Sequence, residues 1–191
     1  GVGEDWYYST LQAALDDAKE GSKIIILAGE YNENVTISLA NLTIVGPNAG
    51  TNPNTFAREE EAVLTGVITV LASANNFTMD GLSFTKGAKI VGSENKEYHN
   101  FKFVNNLVYD TNASTTDWVI NRYVMKGFVE FNLPKGGSTN HFYFANNRFT
   151  NVSDVNLLIN RVVNLSVEGN VFLDFDRDAI RCEGGYNQGI I

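Results

Sequence analysis

The chain has little of what builds disulfide-linked, zinc-dependent or membrane-spanning proteins. Its 191 residues include one cysteine, Cys182, which excludes an internal disulfide and a metal site built on cysteine ligands. Its two histidines, His99 and His141, are far apart in the chain, which argues against a histidine-based zinc site. No apolar run approaches the length of about 18–20 residues that a membrane-spanning helix needs, so we expect no membrane insertion.

Positive charge is also scarce. Fourteen Lys and Arg residues stand against 22 Asp and Glu residues, which gives a formal net charge of −8. This balance argues against nucleic acid and anionic membranes as partners. It argues only mildly against acidic polysaccharides as ligands, because a protein with a negative net charge can still have a local basic groove. Proline occurs three times, whereas asparagine is abundant, and abundant asparagine is typical of turns and stacked side-chain ladders.

One short pattern recurs five times: an apolar residue, a variable one, a second apolar one, another variable one, then Gly or Asn. The copies begin at residues 42, 77, 101, 142 and 165 and end at Gly46, Gly81, Asn105, Asn146 and Gly169. Alternation of this kind predicts a strand with one buried face. Gly and Asn tolerate a left-handed backbone, so each copy is predicted to end in the same sharp bend.

The shortest gaps between copies, about 23 residues, are typical of a solenoid repeat. We therefore predict an all-β fold, a right-handed parallel β-helix of about 5–6 coils with three short strands per coil. Residues 1–191 would form one domain, with an amphipathic capping helix at 9–21, capped by Ser9 or Thr10, and coils at 22–191. Insertions are predicted near 47–65 and 125–139. Residues 23–29 are predicted to form a strand buried on both sides.

The chain opens with a helix, a glycine, an apolar strand, Gly29-Glu30-Tyr31, and the strands at 35–37 and 42–46. This opening resembles the N-terminal cap of the pectin-lyase-like superfamily, as in pectin methylesterases and chondroitinase-B-type lyases. The later repeats are similar to β-helix repeats of secreted bacterial surface proteins. The resemblance covers nearly the whole chain and implies a right-handed parallel β-helix. The catalytic motifs of pectin methylesterases and polygalacturonases are absent.

The last residues, Gly189-Ile190-Ile191, lie where a new core strand is expected. Because a solenoid needs a cap at each end, we expect this chain to be a fragment of a longer β-helix. The alternative is self-association through this uncapped end.

In pectin-lyase-like proteins a sugar chain usually lies along one face, so the resemblance implies a polysaccharide groove. Strands at 88–91, 118–121, 157–160 and 179–182 are predicted to be equivalent, with the isoleucine of each pointing inward. The residues after these isoleucines would form an outward column: Val91, Asn121, Asn160 and Arg181. Arg and Asn side chains donate well to sugar hydroxyls and carboxylates. The candidate ligand-binding residues are Asn121, Arg122, Asn160, Arg161, Arg181 and Glu183.

If the chain is an enzyme, the candidate catalytic residues are Lys89, Arg122, Arg161 and Arg181. The alternative is a solvated face on which arginines brace neighbouring turns. A second cluster, Asp174, Asp176 and Asp178, has the carboxylates to bind calcium or to supply an acid and a base. These carboxylates are equally typical of an ordinary turn, and no other cofactor is expected.

The leading hypothesis is a secreted or cell-surface β-helix module that binds or processes polysaccharide or another glycan, in an extracellular, bacterial setting. The first alternative is a uronate lyase that uses Lys and Arg as base and acid, since β-elimination needs charge neutralisation and a base. The second is a structural or adhesive spacer without catalytic activity. The sequence leaves open whether the chain is an enzyme.

Overall fold

The computed structural model describes residues 7–112, 126–135, 140–183 and 189–190. Its helix, α1, spans Leu11–Asp17 and begins where the Thr10 side chain accepts a hydrogen bond from the Ala13 amide at 3.1 Å. Leu11 and Leu15 bury one face of α1 against the core. The predicted capping helix is therefore confirmed, although it is shorter than 9–21. No helix in the described residues is long and apolar enough to cross a membrane.

The remaining regular structure consists of short strands. In chain order they are β1 (Lys23–Ile25), β2 (Gly29–Tyr31), β3 (Val35–Ile37), β4 (Thr43–Val45), β5 (Ala62–Leu64), β6 (Val67–Val70), β7 (Thr78–Asp80), β8 (Ser83–Lys86), β9 (Lys89–Gly92), β10 (Phe101–Val104), β11 (Leu107–Thr111), β12 (Gly127–Asn132), β13 (Phe142–Ala145), β14 (Arg148–Val152), β15 (Val155–Asn160), β16 (Leu165–Glu168), β17 (Val171–Leu173), β18 (Asp178–Arg181) and β19 (Gly189–Ile190).

Every third strand belongs to the same parallel sheet. Sheet A has the order β1-β4-β7-β10-β13-β16-β19, sheet B runs from β2 to β17, and sheet C runs from β3 to β18. Each set of three consecutive strands makes one coil, so β1–β18 form six coils and β19 pairs with β16 at the start of the next. Parallel strands joined by such crossovers form right-handed connections. The predicted right-handed parallel β-helix is confirmed.

The five-residue pattern forms sheet A and the bend that follows it. Its apolar positions line up between coils, as in Ile44 beside Met79 and Phe103 beside Phe144. These side chains are buried, and phenylalanine rings from all three sheets pack between them. Ring centroids lie 5.5 Å apart for Phe84 and Phe103, so the coil interior is filled with aromatic side chains.

The bend positions agree with the prediction in four copies out of five. Gly81, Asn105, Asn146 and Gly169 have φ angles of +71°, +54°, +55° and +63°. Gly46 does not have a positive φ, and it is required for a different reason. A Cβ atom there would lie 2.2 Å from the carbonyl oxygen of Gly81, so the next coil leaves no room for a side chain.

An asparagine ladder follows this bend in three coils, with Asn106 and Asn147 fully buried and Asn170 half-buried. The Asn106 amide donates to Asn147 Oδ1 and the Asn147 amide donates to Asn170 Oδ1, both at 2.9 Å. Each side-chain Nδ2 in turn donates to a carbonyl in the sheet A strand of the preceding coil, as Asn147 does to Phe103 at 2.9 Å. The ladder therefore satisfies backbone groups that the bend leaves without sheet partners.

The first predicted insertion, 47–65, includes strand β5 at its end, because the alternating Ala62 and Leu64 are buried in sheet B. Residues 47–61, which we call the strap, run lengthwise over the bends between sheets A and B. Arg58 donates to the carbonyls of Asn105 at 2.8 Å and Leu82 at 3.5 Å. Asn54 donates to the carbonyls at Asn147 and Gly169, at 3.1 and 3.4 Å.

Two other predictions need correction. Strand 23–29 is buried on one side only: Ile24 and Ile26 point into the core, while Ile25 and Leu27 are more than 60% exposed. Residues 118–121, predicted as a strand of sheet C, lie outside the described residues. Their predicted place between β9 and β15 is taken by β12, which lies within the predicted insertion 125–139.

Candidate functional site

The predicted polysaccharide face lies on the outer side of sheet C. We call its outward side chains in the last coils the sheet C face: Glu130, Asn132, Asn160, Arg181 and Glu183. Alternation of the strands points these side chains away from the core, whereas Phe131 and Ile159 between them are buried.

The register of sheet C differs from the predicted column. Ile180 lies beside Leu157, not beside Ile159 as predicted, so Arg181 is the neighbour of Leu158. Asn160 instead lies beside Asn132, two residues further along the strands. The prediction of Asn160 and Arg181 in one column is therefore wrong by two residues. The reason is that β15 starts early, at Val155, and pairs with β18 from its first residue.

Three residues of the sheet C face form a polar row across successive coils. The Asn160 side chain donates to Asn132 Oδ1 at 2.7 Å and accepts a hydrogen bond from the Glu183 amide at 3.0 Å. Asn132 and Glu183 are exposed and Asn160 is half-buried. The row thus presents amide and carboxylate groups to solvent while it links three coils.

Arg181 is held by carboxylates of its own strand end. Its guanidinium lies 2.5 Å from Glu183 Oε1 and 3.0 Å from Asp178 Oδ2. The hydrogen bond to Glu183, and then that to Asp178, raise the pKa of Arg181 above its usual value. Arg181 is therefore a fixed cation whose charge is balanced within the protein. The adjacent Cys182 packs against the core, and burial raises the pKa of its thiol.

Arg161 braces a neighbouring turn. Its backbone has a φ of +61°, its amide donates to the Glu183 carbonyl at 2.9 Å, and its Nε donates to the Leu133 carbonyl. Arg161 thus ties its own coil to the coils on both sides. This placement matches the alternative in which arginines brace neighbouring turns.

Lys89, another predicted site residue that the structure describes, does not lie at this end of sheet C. Lys89 begins β9, three strands away from β18, which corresponds to roughly 14 Å at the usual spacing of about 4.8 Å between strands. Asn121 and Arg122 lie outside the described residues.

The aspartate cluster lies at the bend before β18. Asp174 has a φ of +50°, which is typical of a turn, and the Asp178 carboxylate accepts from Arg181 and lies 3.6 Å from Arg177 Nε. No group of three or more His, Cys, Asp and Glu side chains suited to a metal ion occurs in the described residues. Calcium binding by Asp174, Asp176 and Asp178 stays a prediction.

Sequence reasoning missed Glu130 and Asn132 as members of this face. Both belong to β12, which lies within the predicted insertion 125–139. A signal was present, because Val129, Phe131 and Leu133 alternate with Glu130 and Asn132 as in a half-buried strand.

Comparisons with known proteins bear on the fold. No family model matches the chain, and no curated protein does. A solved structure that matches is described as "a new PL6 alginate lyase complex with trisaccharide", with a TM-score of 0.54 and 22% sequence identity. The match covers 82% of this chain and 31% of that one, so this chain spans less than a third of that lyase. At this identity the likeness shows that the two proteins share a fold, the parallel β-helix.

Proposed function

We propose that this chain is a β-helix module that binds polysaccharide along the sheet C face, outside the cell or at its surface. The observation that carries the proposal is the polar row of Asn132, Asn160 and Glu183. Stacked coils repeat these groups at intervals of about 4.8 Å. A polysaccharide is a repeating ligand, and amide side chains both donate to and accept from sugar hydroxyls.

In the part of the face that the structure describes, the charges favour binding over elimination. A uronate lyase needs a base near an unpaired cation that neutralises the uronate carboxylate. Arg181 is already paired with Asp178 and Glu183, and Arg161 donates to a carbonyl. Lys89 lies several coils away. The similar alginate lyase, solved with a trisaccharide, supports a carbohydrate ligand without specifying which one.

The test is a calorimetric binding screen against neutral and acidic polysaccharides. Asn132→Ala is the first variant, because the side chain is exposed and its loss removes one bond to Asn160. With Asn160→Ala added, we expect affinity for the bound glycan to fall about tenfold or more, since each lost hydrogen bond costs about 1 kcal/mol. Thr36→Ala, on the exposed side of β3 at the far end of the same sheet, is the matched control and should bind as the wild type.

Two results would contradict the proposal. One is an absence of binding to every glycan in the screen, which the spacer hypothesis predicts. The other is an unchanged affinity in the double variant with an intact fold. Release of unsaturated uronides from alginate, pectin or glycosaminoglycans would show that the chain is a lyase and does more than bind. Lys89→Ala would then be the variant to assay.

A further inference from the structure

A second group of polar side chains lies on the outer face of sheet A, away from the sheet C face. It lines a shallow, open depression of about 550 Å³. We call it the sheet A patch: Asn76, Thr78, Asn100, Lys102, His141 and Tyr143. Three of these residues are strand neighbours, since Thr78 lies beside Lys102 and Lys102 beside Tyr143.

The bend before sheet A supplies the other half of the patch. Asn76, Asn100 and His141 have φ angles of +55°, +57° and +50°, so the same left-handed position recurs in three successive coils. Asn100 donates to Asn76, and Asn76 donates to Asn41 Oδ1 at 2.9 Å. These bonds hold the two amides in place beside the strand residues.

The charge of the patch comes from Lys102. The protein has a net charge of −8, yet no carboxylate lines this depression. Among the described residues no carboxylate lies within ion-pair distance of Lys102, whereas Lys86 and Lys96 are paired with Glu30 and Glu94. The Lys102 ammonium instead lies 5.7 Å from the centre of the Tyr143 ring.

We propose that the sheet A patch is a second carbohydrate-binding site, which takes a sugar unit bearing an acidic group. The Lys102 ammonium pairs with that group, since charge-assisted hydrogen bonds are the stronger ones. The Tyr143 ring, apolar with a polar tip, covers the sugar's apolar side. The amide of Asn100 and the hydroxyl of Thr78 contact its hydroxyls. This site does not depend on binding by the sheet C face.

The experiment compares four probes that isolate the acidic group. Polygalacturonate is set against its methyl ester, and dextran sulfate against dextran, so that carboxylate and sulfate are tested separately. Wild-type protein is expected to bind at least one acidic probe more tightly than its neutral partner, with an affinity that falls as salt is added. Lys102→Gln is expected to lower that affinity about tenfold or more, and Lys102→Arg to retain most of it.

Two controls locate the effect. Lys19→Gln removes an exposed lysine two residues after α1 and should leave binding unchanged. Tyr143→Leu, which removes the ring beside Lys102, should weaken binding. Asn132→Ala changes only the sheet C face, so an effect of Lys102→Gln without an effect of Asn132→Ala identifies this site independently. Equal affinity of Lys102→Gln and wild type for both acidic probes overturns the proposal, as does a failure of the wild type to bind either one.

Discussion

Single residues decide how closely the coils approach each other at the bend after sheet A. Gly81, Asn105, Asn146 and Gly169 are there for their left-handed backbone. Gly46 is there because the backbone of the next coil occupies the space of its side chain. The same pattern position therefore has two different physical requirements.

Gly46→Ala tests the second requirement. A methyl group at 2.2 Å from the Gly81 carbonyl oxygen forces two backbones apart, so we expect a loss of about 2–4 kcal/mol in the free energy of unfolding. Gly21→Ala is the control, because Gly21 has a φ of +85° but open space around it, and it should cost only about 1 kcal/mol. Chemical denaturation measures both. Equal losses in the two variants would mean that the contact is relieved by a small shift.

At this scale the sequence predicts conformation better than contacts. The restriction of one pattern position to Gly or Asn was sufficient to predict four left-handed residues out of five. It did not predict the hydrogen-bond partners of Arg161 or Arg181. Which groups lie within reach of these long side chains depends on the register of strands that are distant in the sequence.

Among structural elements, the asparagine ladder links the bends of coils 4, 5 and 6 through side chains. Asn147 is fully buried and accepts from the Asn106 amide, while its Nδ2 donates to the Phe103 carbonyl and to Asn170. A buried backbone group that loses its partner costs about 1–3 kcal/mol.

Asn147→Ala is therefore expected to lower the free energy of unfolding by about 3 kcal/mol or more. Asn132→Ala serves as the comparison, since it removes one hydrogen bond at an exposed position and should cost less than about 1 kcal/mol. Urea denaturation followed by circular dichroism measures the difference. A similar cost for both variants would show that the ladder does not stabilise the fold.

The five strands of sheet A that carry the five-residue pattern were assigned correctly. The assignment of sheet C failed where two apolar segments lie close together in the sequence. In sheet C, residues 118–121 were predicted as the coil 4 strand, whereas β12, which lies within the predicted insertion 125–139, takes that place. Pairing with β9 and β15 decides between such candidates, and pairing is a long-range property that no local pattern contains.

For the molecule as a whole, β1, β2 and β3 are the N-terminal edge strands of the three sheets among the described residues, and an open edge strand can pair with other chains. At β3, protection against such pairing comes from α1. The Gln12 side chain accepts from the Thr36 amide at 2.7 Å and donates to its carbonyl at 3.4 Å, as a neighbouring strand would. Glu33 in turn accepts from the amides of Leu11 and Gln12 and fixes the helix start.

Gln12→Ala exposes both backbone groups of Thr36 while leaving the buried face of α1 intact. We expect concentration-dependent self-association to become about tenfold stronger than in the wild type, as measured by analytical ultracentrifugation. Lys19→Ala, at an exposed position two residues after α1, should not change it. Identical sedimentation of Gln12→Ala and wild type would show that the helix itself, and not this side chain, blocks the edge.

The strap gives this solenoid a property that a simple stack of coils does not have. In such a stack each repeat contacts its immediate neighbours, so ends can fray one coil at a time. Here Asn54, which precedes most of the chain, bonds to the carbonyl of Gly169, 115 residues later. The strap can form all of its hydrogen bonds to the coils only after the sixth coil has folded, and it then links coils 3 to 6 directly. Docking of the strap, which lies early in the sequence, is therefore completed last, and unfolding of the sixth coil breaks a hydrogen bond of the strap.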